Sequence, residues 1–332
     1  MPELPEVETI RRGLSQFIVK KKLVRTTILC DKSFIGQPTT GTVKNIRRFG
    51  KALVIDLDND KSLMIHLRMT GQLIYDGAEN ETRYAAGHPS DNFTATLPNK
   101  QTRVVLEFEG GSILYFNDQR KFGFIKVLPT TKVEQDPFIQ KLAKEPWVMT
   151  PEELYEKLQR HQNSCIKPTI LDQTIICGLG NIYADESLFA AGIHPERRCG
   201  TITKQEATKL LVAARDVMDK SIASGGSTMA TYVKADGTKG DYLELFAQVF
   251  HKDGQPCPRC GTTIIKTKIA GRGTHICPHC QVLTGNRFGE GTTPSQKRGR
   301  GGKTGRIRQE VAWYECFMAM IGWRRGRKSS AP

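Results

Sequence analysis

No stretch of about 18 apolar residues occurs in the 332-residue sequence, so a membrane-spanning helix is not expected. A secretory leader is not expected either. Where a basic and then apolar segment would stand, the chain reads Met-Pro-Glu-Leu-Pro-Glu, and a cytoplasmic location is expected. No internal repeat is visible. Acidic residues are outnumbered, 34 Asp and Glu against 49 Lys and Arg, giving a formal charge of +15. A hydrophobic fraction of 38% is too high for a disordered chain, so the sequence reads as a folded globular protein with a basic surface.

Such a surface suits a polyanion, because Lys and Arg laid on phosphates release condensed counterions and attract nucleic acid without sequence preference. A merely soluble basic surface is the plainer alternative. The charge is also uneven. From Val282 onward 11 basic residues stand against 3 acidic ones, leaving 38 and 31 in the body that precedes them. More than half of the net charge therefore belongs to a Gly- and Arg-rich extension, 282–332, which reads as flexible in part and as a non-specific DNA tether. Within it Glu310 to Trp323 is apolar on most faces and too short to cross a bilayer.

Nine cysteines in a cytoplasmic chain do not suggest a disulfide framework. Cys30, Cys165, Cys177, Cys199 and Cys316 are scattered and read as small hydrophobes. The other four form Cys257-Pro-Arg-Cys260, then 16 residues, then Cys277-Pro-His-Cys280. Paired two-residue spacers let two knuckles offer four thiolates to one tetrahedral ion, the pattern of a zinc ribbon. A closed four-sulfur shell leaves no place for substrate, so one structural Zn²⁺ is expected and no organic cofactor. Between the knuckles, strand-like halves flank Gly271-Arg272-Gly273, which would carry Arg272 at the tip of a two-stranded ribbon. An Arg there can approach a phosphodiester, or it can be a solvated turn charge.

The elements expected along the chain indicate an α+β protein with two domains. A helix over Pro5 to Ile18 is followed by strands at Ala52 to Leu57, Ser62 to Leu67, Arg103 to Glu109, Ser112 to Phe116 and Gly123 to Val127. Turn signals between consecutive strands indicate an antiparallel β-sandwich over 1–133, while Asp76 to Asn99 lacks periodicity and reads as a long surface loop. A polar stretch punctuated by Pro137 and Pro146, 134–149, reads as a linker. Helices then follow at Pro151 to Gln159, with Thr150 and Glu153 as a capping box, at Asn181 to Ala190 and at Thr203 to Ile222. This helical region, 150–250, precedes the zinc segment, 251–281.

At the amino terminus, removal of Met1 would leave Pro2 with a free secondary amine. Such an amine can attack a sugar C1′ and give an iminium directly, with Glu3 and Glu6 near in sequence to move protons. Pro and Glu in a first helical turn are also ordinary helix-start chemistry. Three motifs in order decide between these. Met1-Pro-Glu-Leu-Pro-Glu-Val-Glu-Thr9, the run Cys177-Gly-Leu-Gly-Asn-Ile-Tyr-Ala-Asp-Glu-Ser-Leu-Phe-Ala-Ala-Gly-Ile-His-Pro195, and the four-cysteine ribbon together resemble the Fpg/Nei family of DNA glycosylases, and its formamidopyrimidine-DNA glycosylase branch most closely. The resemblance runs from Pro2 to about Gln281.

That resemblance implies a catalytic β-sandwich domain, a helix-two-turns-helix DNA-binding domain and a β-hairpin zinc finger. It implies a bacterial, monomeric repair enzyme that acts on double-stranded DNA containing oxidised purines such as 8-oxoguanine and formamidopyrimidines, with no membrane partner. Pro2 is implied as the nucleophile, Glu3 as the general acid/base, and Lys51 as proton donor and phosphate contact. Met69, Arg120 and Phe122 are implied as residues that fill the gap left by an extruded base, although Met69 and Phe122 also suit ordinary packing. Lys167, Asn181 and Arg272 are implied as phosphate clamps, Arg272 also at the catalytic centre. Tyr183 and Glu186 fall on the same motif, Glu186 as an orienting group. Gly226, Ser227, Thr228, Tyr232 and Tyr242 belong to an implied lesion-recognition loop.

Three positions depart from the family's pattern. Ala230 stands where some relatives have Lys, Lys121 replaces a common Arg, and Thr102-Arg103 replaces a His-rich phosphate contact, where Arg103 could substitute electrostatically. The endonuclease-VIII-like branch, acting on oxidised pyrimidines, and a non-catalytic zinc-ribbon DNA-binding protein are the two rival readings.

Overall fold

Helix α1, Leu4–Ile18, places Val7, Ile10, Leu14 and Ile18 on one face at three- and four-residue spacing, and all four are buried. Glu3 is its N-cap and forms a capping box with Glu6. In this computed structural model the described residues are 2–78, 82–88, 90–226, 231–232 and 242–284. Ten strands follow the helix: β1 (Lys22–Ile28), β2 (Phe34–Ile35), β3 (Gly41–Phe49), β4 (Ala52–Leu57), β5 (Lys61–His66), β6 (Gly71–Asp76), β7 (Arg83–Gly87), β8 (Thr102–Phe108), β9 (Ile113–Asp118) and β10 (Phe124–Pro129). A two-residue strand, β11 (Thr231–Tyr232), joins the edge beside β7.

Strand order is β11-β7-β6-β9-β8-β1-β3-β4-β5-β10-β2. The strand ladder joins the two halves of this order through two register pairs between β1 and β3, Lys22 with Thr42 and Leu23 with Gly41. Apolar residues from both halves, with α1, make one core that includes Leu53, Ile65, Leu73, Val104, Leu114 and Ile125. Every pairing is antiparallel except β10 with β2, where Ile125 lies opposite Phe34 in parallel.

The expectation of a surface loop over Asp76 to Asn99 is corrected by β7, which pairs with β6 from Gln72–Gly87 to Asp76–Arg83. The strand was hidden because both of its faces are buried. Tyr84 packs on α1, where a Cβ on Gly13 would lie 2.2 Å from its hydroxyl, and Ala85 joins a second small core with Ile74, Phe93, Val105 and Tyr115. A strand covered on both sides shows no alternation.

The helical half contains α2 (Pro137–Gln140), α3 (Pro151–Gln159), α4 (Ile166–Ile170), α5 (Asn181–Ala191), α6 (Lys204–Ala223) and α7 (Tyr242–Leu245). The 134–149 stretch is thus not featureless. Asp136 caps α2, and Glu145 reaches back to Arg48 and to the Gly50 amide. Leu4 of α1 belongs to the helical core, with Ile166, Leu179, Tyr183, Leu188 and Met218. The zinc segment is a ribbon of β12 (Ile265–Ile269) and β13 (Arg272–Ile276). Its turn falls one residue earlier than the glycines suggest, at Ala270-Gly271, both left-handed with φ of 47° and 79°, so Arg272 opens β13 opposite Ile269. No helix among the described residues is long and apolar enough to cross a membrane. The extension from residue 285 lies outside the described residues.

Candidate active site

The chain's first residues are drawn into the helical half by a cradle of two glycines. The Leu4 amide donates to the Gly178 carbonyl at 3.2 Å. A Cβ on Gly178 would lie 2.3 Å from Leu4 Cδ1, and one on Gly180 would lie 2.2 Å from Glu3 Cδ. No side chain fits at either place, which is the physical content of the Gly178-Leu179-Gly180 motif. Pro2 and Glu3 are buried as a result.

The Glu3 carboxylate meets the amino end of α5, accepting from the amides of Ile182 at 3.1 Å and Tyr183 at 3.5 Å. A helix amino terminus favours an anion. Burial nevertheless dominates and pushes the Glu3 pKa up to about 7; the nearby Lys51 charge and the two amides pull down, and Glu6 pushes up. Glu6 in turn accepts from the Glu3 amide at 2.7 Å and from the Tyr183 hydroxyl, which contacts Ser221 Oγ at 2.6 Å. A carboxyl that titrates near neutrality can both give and take a proton.

Lys51 follows the tight turn between β3 and β4. Gly50 has φ of 55°, and a Cβ there would lie 2.4 Å from Cys177 Sγ. The Lys51 ammonium is buried and donates to the Leu179 carbonyl at 2.7 Å. Burial lowers its proton affinity, Glu3 raises it, and Arg272 lowers it again, so these charges lie within electrostatic reach of one another. Arg272 itself is exposed on the ribbon.

The ribbon is tied to α5 by three side chains. Asn181 Nδ2 donates to the Gly273 carbonyl at 3.0 Å, while its buried Oδ1 has no hydrogen-bond partner among the described residues. Lys167 donates to the Gly273 carbonyl at 2.9 Å and Thr274 Oγ1 at 2.8 Å, and pairs with Asp185 at 2.6 Å. Asp185 also accepts from the His275 amide at 3.0 Å. Lys167, expected as a phosphate clamp, lies inside the protein: it is 1% exposed and its ammonium is paired with Asp185. Arg103, expected as an electrostatic substitute for a phosphate contact, is also buried, with Nε donating to the Asp118 carbonyl at 2.7 Å and Nη1 to the Lys100 carbonyl at 3.0 Å. Asp185 was missed in sequence, although two adjacent acids, Asp185-Glu186, on an otherwise apolar helix signal buried charges that need donors. Glu186 supplies the same function one residue on, accepting from the amides of Gln248, Val249 and Phe250 at 2.8 to 2.9 Å.

Met69 and Phe122 are 43% and 42% exposed on neighbouring loops, and the Arg120 guanidinium lies 4.8 Å from the Phe122 ring centre. Large apolar groups standing out of the surface beside a cation suit insertion into a base stack. Of the expected lesion loop, Gly226 has φ of 92°, and its amide donates to the Ser221 carbonyl at 2.7 Å. Tyr232 lies in β11 and Tyr242 opens α7, but their side chains, and Ser227, Thr228 and Ala230 entirely, fall outside the described residues.

The sulfurs of Cys257, Cys260, Cys277 and Cys280 lie within 4.8 Å of one another. The Arg259 and Cys280 amides each donate to a cysteine sulfur at 3.4 Å, as metal-bound thiolates require. The four cysteines fit one structural Zn²⁺. Arg259 also lies over the Phe189 ring and donates to the Phe189 carbonyl at 2.9 Å, so the finger is locked to the carboxyl end of α5.

A β-sandwich, a helical module whose pivotal helix receives a buried amino-terminal glutamate, and a four-cysteine ribbon aimed at the same place define a nucleic-acid-processing protein of the helix-two-turns-helix class. Comparison with known proteins makes this specific. Residues 1–125 match the formamidopyrimidine-DNA glycosylase N-terminal domain, 142–233 the formamidopyrimidine-DNA glycosylase H2TH domain, and 254–282 the zinc finger found in FPG and IleRS. The chain is 38% identical over 294 residues to the formamidopyrimidine-DNA glycosylase of Pelotomaculum thermopropionicum, covering 85% of this chain and 100% of that one. It is 37% identical over 292 residues to that of Desulfitobacterium hafniense, with the same coverage. Among solved structures, Lactococcus lactis Fpg bound to an abasic-site DNA superposes with a TM-score of 0.73 at 32% identity, over 84% of this chain and 99% of that one. The chain belongs to the formamidopyrimidine-DNA glycosylase family.

Proposed function

We propose that this protein is a bifunctional repair glycosylase that removes oxidised purines from duplex DNA and then nicks the strand. The observation that carries the reading is Glu3, buried beside Pro2 on the amino end of α5 with a pKa of about 7. With Met1 removed, the Pro2 nitrogen attacks C1′ of the damaged nucleotide as the bond to the base breaks. Glu3 protonates the ring oxygen, the sugar opens, and an iminium joins Pro2 to C1′. Loss of a C2′ proton then expels the 3′ phosphate, and a second elimination expels the 5′ phosphate. Lys51, Asn181 and Arg272 hold the flanking phosphates, and Met69, Arg120 and Phe122 occupy the gap in the stack. Gly226, Ser227, Thr228, Tyr232 and Tyr242 recognise the extruded base, as the family resemblance implies. The relatives support this substrate class by name, and one Lactococcus lactis Fpg structure contains an oxidised-pyrimidine DNA.

Borohydride reduction during turnover tests the mechanism. A covalent protein–DNA adduct is expected with native protein and an 8-oxoguanine duplex, and none with Pro2→Gly. Retention of Met1 in the intact mass, or an adduct undiminished by the substitution, would exclude the Pro2 route. Faster excision of thymine glycol than of 8-oxoguanine would move the substrate to oxidised pyrimidines.

A further inference from the structure

Building on the base-extruding reading above, we infer that Asp118 is a positioning residue that locks the two wedge loops into one unit and so sets how well the gap beside an extruded nucleotide is filled. Asp118 ends β9 and is 0% exposed although it lies under two surface loops. Its Oδ1 accepts from the Thr70 hydroxyl and from the Arg120 amide at 3.1 Å, and its Oδ2 accepts from the Gly123 amide at 2.7 Å. Thr70 Oγ1 also accepts from the Arg120 amide at 3.0 Å, which closes a small ring of bonds across the two loops. Thr70 directly follows Met69, and Arg120 and Gly123 bracket Phe122. One carboxylate thus ties the hydroxyl of the residue after Met69 to the backbone amides of Arg120 and Gly123, which flank Phe122.

The rest of Asp118 is equally constrained. Its backbone pairs with Gly71 in the β6–β9 register, its amide donates to the Gln101 carbonyl at 2.9 Å, and its carbonyl receives the Arg103 guanidinium at 2.7 Å. The loops cannot order themselves by ladder bonds. Arg68 and Lys121 are left-handed, with φ of 52° and 58°, and a Cβ on Gly123 would lie 2.8 Å from Phe116 Cζ. Amides in such turns need a side-chain acceptor, and a buried carboxylate needs donors; each solves the other's problem. Loops left unordered would have to be fixed when DNA binds, subtracting from the energy available to hold the gap open.

The test compares two substrates with Asp118→Asn and, as a milder variant that leaves the carboxylate in place, Thr70→Val. One substrate is an 8-oxoguanine duplex in single turnover with 2-aminopurine beside the lesion; the other is a single-stranded oligonucleotide with a preformed abasic site, trapped by borohydride. Duplex excision and the 2-aminopurine rise are expected to slow roughly tenfold for Asp118→Asn and about fivefold for Thr70→Val, the scale of one lost buried hydrogen bond. Trapping on the single strand is expected to stay within about twofold, since no stack has to be held open there. Equal losses on both substrates, or no loss on the duplex, would overturn the inference. Native protein that traps neither substrate would instead overturn the glycosylase reading on which it rests.

Discussion

Glu3 shows how much of a residue's chemistry comes from its surroundings. Its folded pKa of about 7 lies above the ordinary 4.5, chiefly through burial. Because the folded form holds its proton more tightly, this group's stabilising contribution is complete below about pH 4.5 and is lost as pH rises through about 7. Glu3→Gln, which mimics the protonated form, is therefore expected to gain stability relative to native protein between those values, on the order of 3 kcal/mol by pH 8. Urea melts of both proteins across pH 4 to 8 check this, and a difference that does not change with pH would refute it. Gly180→Ala places a methyl on the Glu3 carboxyl. Single-turnover excision is expected to fall about a hundredfold, the usual cost of displacing a reacting group by about 1 Å. The resemblance singled out Glu3, but its neutral-range pKa was not legible in sequence, because it depends on residues around positions 51 and 180.

At the scale of elements, α5 organises the site. Its amino end receives Glu3, its middle holds β13 and residues 248–250 through Asp185 and Glu186, and its carboxyl end is covered by Arg259 from the finger. The finger's own core is small, with Val249, Ile264 and two cysteines packed on Phe189. A core this small is expected to need the metal for its fold. Chelation of zinc is expected to release Arg272 from its place and weaken lesion-duplex binding by more than about tenfold, while the far-ultraviolet signal of the sandwich persists. Filter binding and circular dichroism before and after zinc is restored check this. Helices α1, α3, α5 and α6 were legible to within a residue or two because capping pairs such as Thr150 with Glu153 mark their starts. Strand β7 was not, because burial on both faces erased its alternation, and the internal partners of Lys167 and Arg103 were not, because packing alone brings those groups together.

For the whole molecule, the charge separates into a body and an extension. The 11 basic and 3 acidic residues beyond Gln281 contribute more than half of the +15. A cut immediately after Gln281 would end the chain at a buried side chain that donates to the Ile193 carbonyl at 2.9 Å. Truncation is better placed after Thr284. That variant is expected to show a shallower dependence of DNA affinity on salt, with single-turnover excision unchanged within about twofold. An unchanged salt slope would remove the tether role.

The order of motifs along the chain was enough to determine the family and the metal, because glycine cradles, cysteine knuckles and helix caps are local requirements that residue type alone satisfies. Only the tertiary structure decided which charges face outward. It buried Lys167 against Asp185 and left Arg272 exposed; it brought Glu3 to an amide pair some 180 residues away, and it placed Asp118 between two wedge loops. Such outcomes depend on partners that meet only when the sandwich, α5 and the ribbon pack together, and desolvation, which sets a proton's affinity and a charge's availability, exists only after that packing.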